Sequence, residues 1–88
     1  MDNEVQLLNQ AMDQFQSELR DGVISASRVI NPLLGIWQLA NDIDHVVAVP
    51  IEQLLTALTG REITTPREIA ETMDATRAAL AMPVAVEV

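Results

Sequence analysis

The strongest constraint on this chain is a run of apolar and small residues between positions 5 and 29. Val5, Leu8, Met12, Phe15, Leu19, Gly22, Ala26 and Val29 follow one another at alternating spacings of three and four. That spacing puts all of them on one stripe of a helix, in the a and d positions of a heptad. The intervening Asn9, Gln10, Asp13, Gln14, Gln16, Ser17, Glu18, Arg20 and Asp21 are suited to water. One helix over about residues 3–30 is therefore expected, roughly 40 Å long at about 1.5 Å per residue. Asp2 or Asn3 can cap it, and Glu4 suits its positive end. In a chain of 88 residues, everything else must pack on that stripe or leave it for a partner.

Prolines and a glycine divide the remainder. Asn31-Pro32 reads as the end of one helix and the start of the next, because the residue before a proline is pushed out of the helical region. A second helix over about 32–48 carries Leu33, Ile36, Trp37, Ala40, Ile43 and Val47, apolar over most of its circumference as a buried central element is. Val49-Pro50 reads as another break, followed by a third helix over about 50–59 with Gly60 in the terminator position. The sharpest local signal is Thr65-Pro66-Arg67-Glu68: a capping threonine, a proline at the first helical position, and a glutamate three after the cap. It opens a fourth helix over about 66–81, which Pro83 stops. In the tail, 83–88, the alternation Val84-Ala85-Val86-Glu87-Val88 suits a frayed end or a strand added to a partner's sheet. The expected fold is all-α: a single domain, a small bundle of about four helices, with a body from about 23 to 82 and a projecting N-terminal half-helix.

Composition narrows the function classes. The chain has no cysteine, which removes disulfides, thiolate metal sites and cysteine nucleophiles. Its acidic residues number 13 against five arginines and no lysine, for a net charge of −8. A phosphate backbone or an anionic membrane is held mainly by basic clusters, so neither is an expected partner. The apolar-rich stretch 33–49 is interrupted by Gln38, Asn41, Asp42, Asp44 and His45 and is no membrane span. No charged-then-apolar leader opens the chain, and a cytoplasmic location is expected. An apolar share of 49% is high for so short a chain, and suggests more apolar surface than one small core can hide.

The residues that carry chemistry are sparse. His45 is the one histidine, and Asp42 lies three before it, a spacing that on one helix gives two metal ligands of the four a closed site needs. Ser17, Ser25 and Ser27 lack a glycine-flanked elbow, and the three glycines form no phosphate loop. No catalytic residue, cofactor or metal ligand set is expected, and the chain does not read as an enzyme. From Leu54 to Leu80 the order helix, glycine turn, capped helix fits a helix-turn-helix, and Arg67-Glu68-Ile69-Ala70-Glu71 resembles a string common in such units. A recognition helix needs basic and amide side chains toward base edges, and here Glu68, Glu71 and Asp74 outnumber Arg67 and Arg77. Trp37 serves either as an interface anchor or as the largest piece of the core.

The expected function is a non-enzymatic protein-protein interaction subunit or adaptor, acting by self-association or by docking on another protein. Its expected contact residues are Val5, Leu8, Met12, Phe15 and Leu19. On that reading, replacing Leu8 and Phe15 with Asp lowers assembly and leaves helicity largely intact. The alternatives are a helix-turn-helix-like transcription regulator over 54–80 and an acidic inhibitor occupying another protein's nucleic-acid site.

Overall fold

The computed structural model describes residues 2–19 and 22–81. Among them are four helices, α1 (Asp2–Ser17), α2 (Ala26–Ile43), α3 (His45–Leu58) and α4 (Pro66–Ala81), and two short strands, β1 (Ile24–Ser25) and β2 (Ile63–Thr64). The fold is an all-α small bundle. The tail 83–88 lies outside the described residues.

The first helix is shorter than its periodicity implies. It ends at Ser17, whose hydroxyl donates to the Gln14 carbonyl at 2.7 Å. The amides of Glu18 and Leu19 then turn back to the Phe15 and Gln16 carbonyls at 3.2 Å, the tight closing turn common at helix ends. Gly22 follows with φ +100°, a conformation that glycine adopts without a Cβ clash. Ile24 then faces Thr64 and Ser25 faces Ile63 in an antiparallel ladder, which the Ala26 amide extends by donating to the Glu62 carbonyl at 2.9 Å. The backbone of this segment thus finds its partners in a distant loop rather than in a continued helix. The seam is cut between Leu19 and Ala26.

Neither internal proline breaks a helix. Pro32 lies in the second turn of α2 and Pro50 in the second turn of α3. A proline inside a helix costs about 3 kcal/mol through a lost hydrogen bond and a carbonyl clash. Burial of Ala26, Val29, Leu33, Ile36 and Ala40 along α2, and of Val47, Ala48, Ile51, Leu54 and Leu58 along α3, outweighs it. The break comes instead at Asp44, in extended conformation at φ −166° and ψ 136°. Its amide donates to the Ala40 carbonyl at 3.0 Å and closes α2, while its carboxylate accepts the Val46 amide at 3.0 Å and caps α3. One residue serves both helices. At α4 half of the local signal is realised: the Glu68 amide donates to Thr65 Oγ1 at 3.2 Å, while the Glu68 carboxylate turns to Arg61 and Thr64 instead of reaching back to the Thr65 amide.

α1 packs on α2 and α4, α2 on α3, and α3 on α4, which closes the four helices around one core. Leu8 and Met12 from α1, Leu33 from α2, Ile51 and Leu58 from α3, and Ile69 and Met73 from α4 are its fully buried large side chains. The β1–β2 ladder pins the α1–α2 connection to the α3–α4 connection at one end. Among the described residues no helix is long and apolar enough to cross a membrane. Removing the shared cap with Asp44→Ala is expected to cost about 1 kcal/mol, and Asp44→Asn to keep most of the stability; urea denaturation measures both.

Candidate functional site

The bundle takes most of the expected contact residues into its own interior. Leu8 and Met12 are fully buried, Phe15 is 7% exposed, and Val5 and Leu19 are half-buried. A long helix would have had an overhang to bury elsewhere. At 16 residues α1 matches α4 and nearly matches the 18 residues of α2, so its apolar stripe is covered from within the chain. Leu8, Met12 and Phe15 are therefore core residues, not an exposed contact stripe. Leu8→Ala is expected to destabilise by about 2–5 kcal/mol, and Leu8→Asp with Phe15→Asp to unfold the chain instead of preserving its helicity. Circular dichroism during denaturation decides it.

What α1 offers outward lies on its flank, along the junction with α2. Two adjoining depressions of about 380 and 320 Å³ share Phe15, Glu18 and Pro32. The first gathers Leu19, Val23, Ile24, Arg28 and Val29, and the second gathers Ala11, Gln14, Gly35, Ile36 and Leu39. Late in α1, Phe15 meets Arg28 and Val29 early in α2, while Ala11, nearer the middle of α1, lies with Leu39 further along α2, so the two helices run in opposed directions. The groove exists because Ala11 and Gly35, small residues on facing helices, leave Phe15 and Ile36 at the floor. Helical spacing sets Leu7, 52% exposed, on the same stripe as Ala11, Gln14 and Glu18. Val23, 66% exposed, stands at the other end. Glu18 and Arg28, both exposed, are the charged groups in the lining. The face is a mostly apolar trough with one charge of each sign at its rim.

The other candidates are less developed. Asp42 lies in the last turn of α2 and His45 opens α3, so the corner at Asp44 removes the shared helical face their spacing suggested. Among the described residues no group of three or more acidic or histidine side chains is placed to hold a metal. Ser25 and Ser27 have their hydroxyls 3.3 Å apart, and His45 lies on another helix. Trp37 is half-buried against the core with its indole N–H buried and, among the described residues, without a hydrogen-bond partner. Leu34 and Val46 are exposed apolar side chains that do not line the groove.

The α3–α4 unit does have the helix, turn and capped helix of a helix-turn-helix, with Gly60 at φ +83° in the turn. Its arginines are engaged with acids. Arg61 forms a two-pronged contact to the Glu68 carboxylate at 2.8 Å to each oxygen, and the buried Thr64 hydroxyl donates to Glu68 Oε1 at 2.7 Å. Arg67 lies 3.8 Å from Glu71, and Arg77 meets Asp13 at 2.8 Å, Asp74 at 3.4 Å and the Gln16 side chain. Among the described arginines Arg28 alone has no carboxylate partner. The Arg61 hydrogen bond, then that of Thr64, hold the Glu68 carboxyl below its ordinary value against the opposing effect of partial burial. The same contact raises the Arg61 guanidinium. A carboxylate with a lowered folded-state pKa stabilises above its unfolded value, and that contribution is lost as pH falls through the folded one. Glu68→Gln is therefore expected to lower stability at neutral pH and to flatten the acid-side decline, read from urea midpoints across pH.

The chain matches no family model, and no curated protein or solved structure shows significant similarity to it.

Proposed function

We propose that this chain is a non-enzymatic protein-protein interaction subunit or adaptor whose contact surface is the α1–α2 groove. The observation that carries the reading is an apolar trough floored by Phe15 and Ile36, with exposed Val23 in its lining and exposed Leu7 one turn before Ala11 on the α1 stripe that borders it. Apolar side chains set around a shaped depression, with charge confined to the rim, are the pattern of a protein contact. Of the expected contact residues, half-buried Leu19 lines this surface, and the core residue Phe15 shows only an edge at its floor. The occupant is a protein surface carrying apolar side chains, either a second copy or a different chain. A nucleic-acid role for 54–80 has less support, since its arginines are already paired with its own acids.

Tagged wild-type chain and the variants Leu7→Asp, Val23→Asp and Val46→Asp provide the test. Each adds one carboxylate at an exposed position, but Val46 stands on α3 away from the groove. The proteins retained from a cell lysate are expected to be lost with the first two variants and kept with the third, all three remaining helical. Equal retention by all three, together with self-association of the pure chain that Leu7→Asp and Val23→Asp leave unchanged, overturns the reading.

A further inference from the structure

We propose that the partner of the α1–α2 groove is a second copy of the same groove, related by a two-fold axis lying in the interface along the trough. The inference rests on the reading of this face as a contact surface and names its occupant. A two-fold contact requires a patch complementary to itself. The lining meets that condition: Glu18 stands on the α1 side and Arg28 on the α2 side, at the same end of an apolar floor. Rotation about an axis running between them sets α1 of one copy over α2 of the other. Glu18 of each copy then faces Arg28 of its mate, and the pair occurs twice.

Charge elsewhere on the molecule favours the same face. At a net charge of −8, two copies repel through most of their surfaces. The groove lining balances one carboxylate with one guanidinium. Arg28 is also the arginine that no carboxylate of its own chain satisfies among the described residues. The exposed side chains Leu7 and Val23 project beside the shallow Ala11–Gly35 stretch and the Phe15–Val29 depression, which gives each copy both protrusions and recesses. Two helices of about 24 and 27 Å, lying about 10 Å apart, present on the order of 500 Å² per copy. That is below the roughly 800 Å² per partner of a standard stable interface, so the dimer is one that forms and dissociates with concentration.

Sedimentation velocity across a wide concentration range, on purified untagged chain, tests this. Wild type is expected to shift from monomer to dimer, and Val46→Asp to behave alike. Glu18→Arg alone puts arginine against arginine, and Arg28→Glu alone puts glutamate against glutamate. Each is expected to weaken self-association by about tenfold, as two exposed ion pairs become two repulsions. An equimolar mixture of these two variants restores both pairs in a heterodimer, and is expected to associate at least as well as wild type. Because that rescue arises between copies, a change within one chain cannot produce it. A wild-type chain that stays monomeric, single reversals without effect, or a mixture no better than its components each overturns the inference. Should retention from a lysate still depend on Leu7 and Val23 while the pure chain stays monomeric, the contact-face reading stands and only the second-copy inference falls.

Discussion

The structure depends on the pairing of Ile24 and Ser25 with Thr64 and Ile63. These strands are two residues long, yet they fix where the first helix must stop and where the second must begin. An apolar stripe from Val5 to Val29 makes a continuous helix attractive, and a chain that followed it would hold α1 away from its own core. The ladder, the Ala26 amide bond to Glu62 and the positive φ of Gly22 turn the chain back instead. Leu8, Met12 and Phe15 thereby reach Ile69 and Met73 across the bundle in one common core. Glu68 strengthens the same corner, since it bonds Thr64 of the second strand and Arg61 just before it.

Closing the bundle this way decides what remains for contact. A helix of α1's length has little apolar surface to spare after covering the core, and what it leaves is a flank, not a stripe. The groove between α1 and α2 is that flank. Ala11 and Gly35 are too small to fill the gap between two helix surfaces, and the stretch they line is a shallow depression. The two charges of the groove, Glu18 and Arg28, are exposed, and the rest of its lining is mostly apolar. On the proposed reading, affinity at such a face is modest, since its area is below that of a standard stable interface.

The elements that were legible in the sequence are those set by neighbours within one turn. Thr65, Pro66 and Glu68 carry a helix start in their own chemistry, and α4 begins where they say. Gly60 marks the end of α3 for the same reason. Pro32 and Pro50 misled because their cost is local while the burial that outweighs it is spread along a helix and supplied by two neighbouring helices. Asp44 carried a capping signal that was masked by the apolar periodicity on both sides of it. The candidate site was less legible than the fold: Phe15 and Leu19 fall within it, while Leu7, Val23, Glu18 and Arg28 entered only when two helices were set side by side.

By itself the sequence determined that this chain is helical, acidic, free of cysteine chemistry and rich in amphipathic stripes. Periodicity and capping are properties of a residue and its nearest turns, so they survive without any knowledge of the third dimension. Only the tertiary structure decided which stripe faces inward. That choice turns on a backbone pairing between loops that are far apart in the chain, and on whether the space beside α1 is filled by α2 and α4 or left open. Apolar spacing states that a face will be buried; the identity of the surface that buries it is a matter of packing.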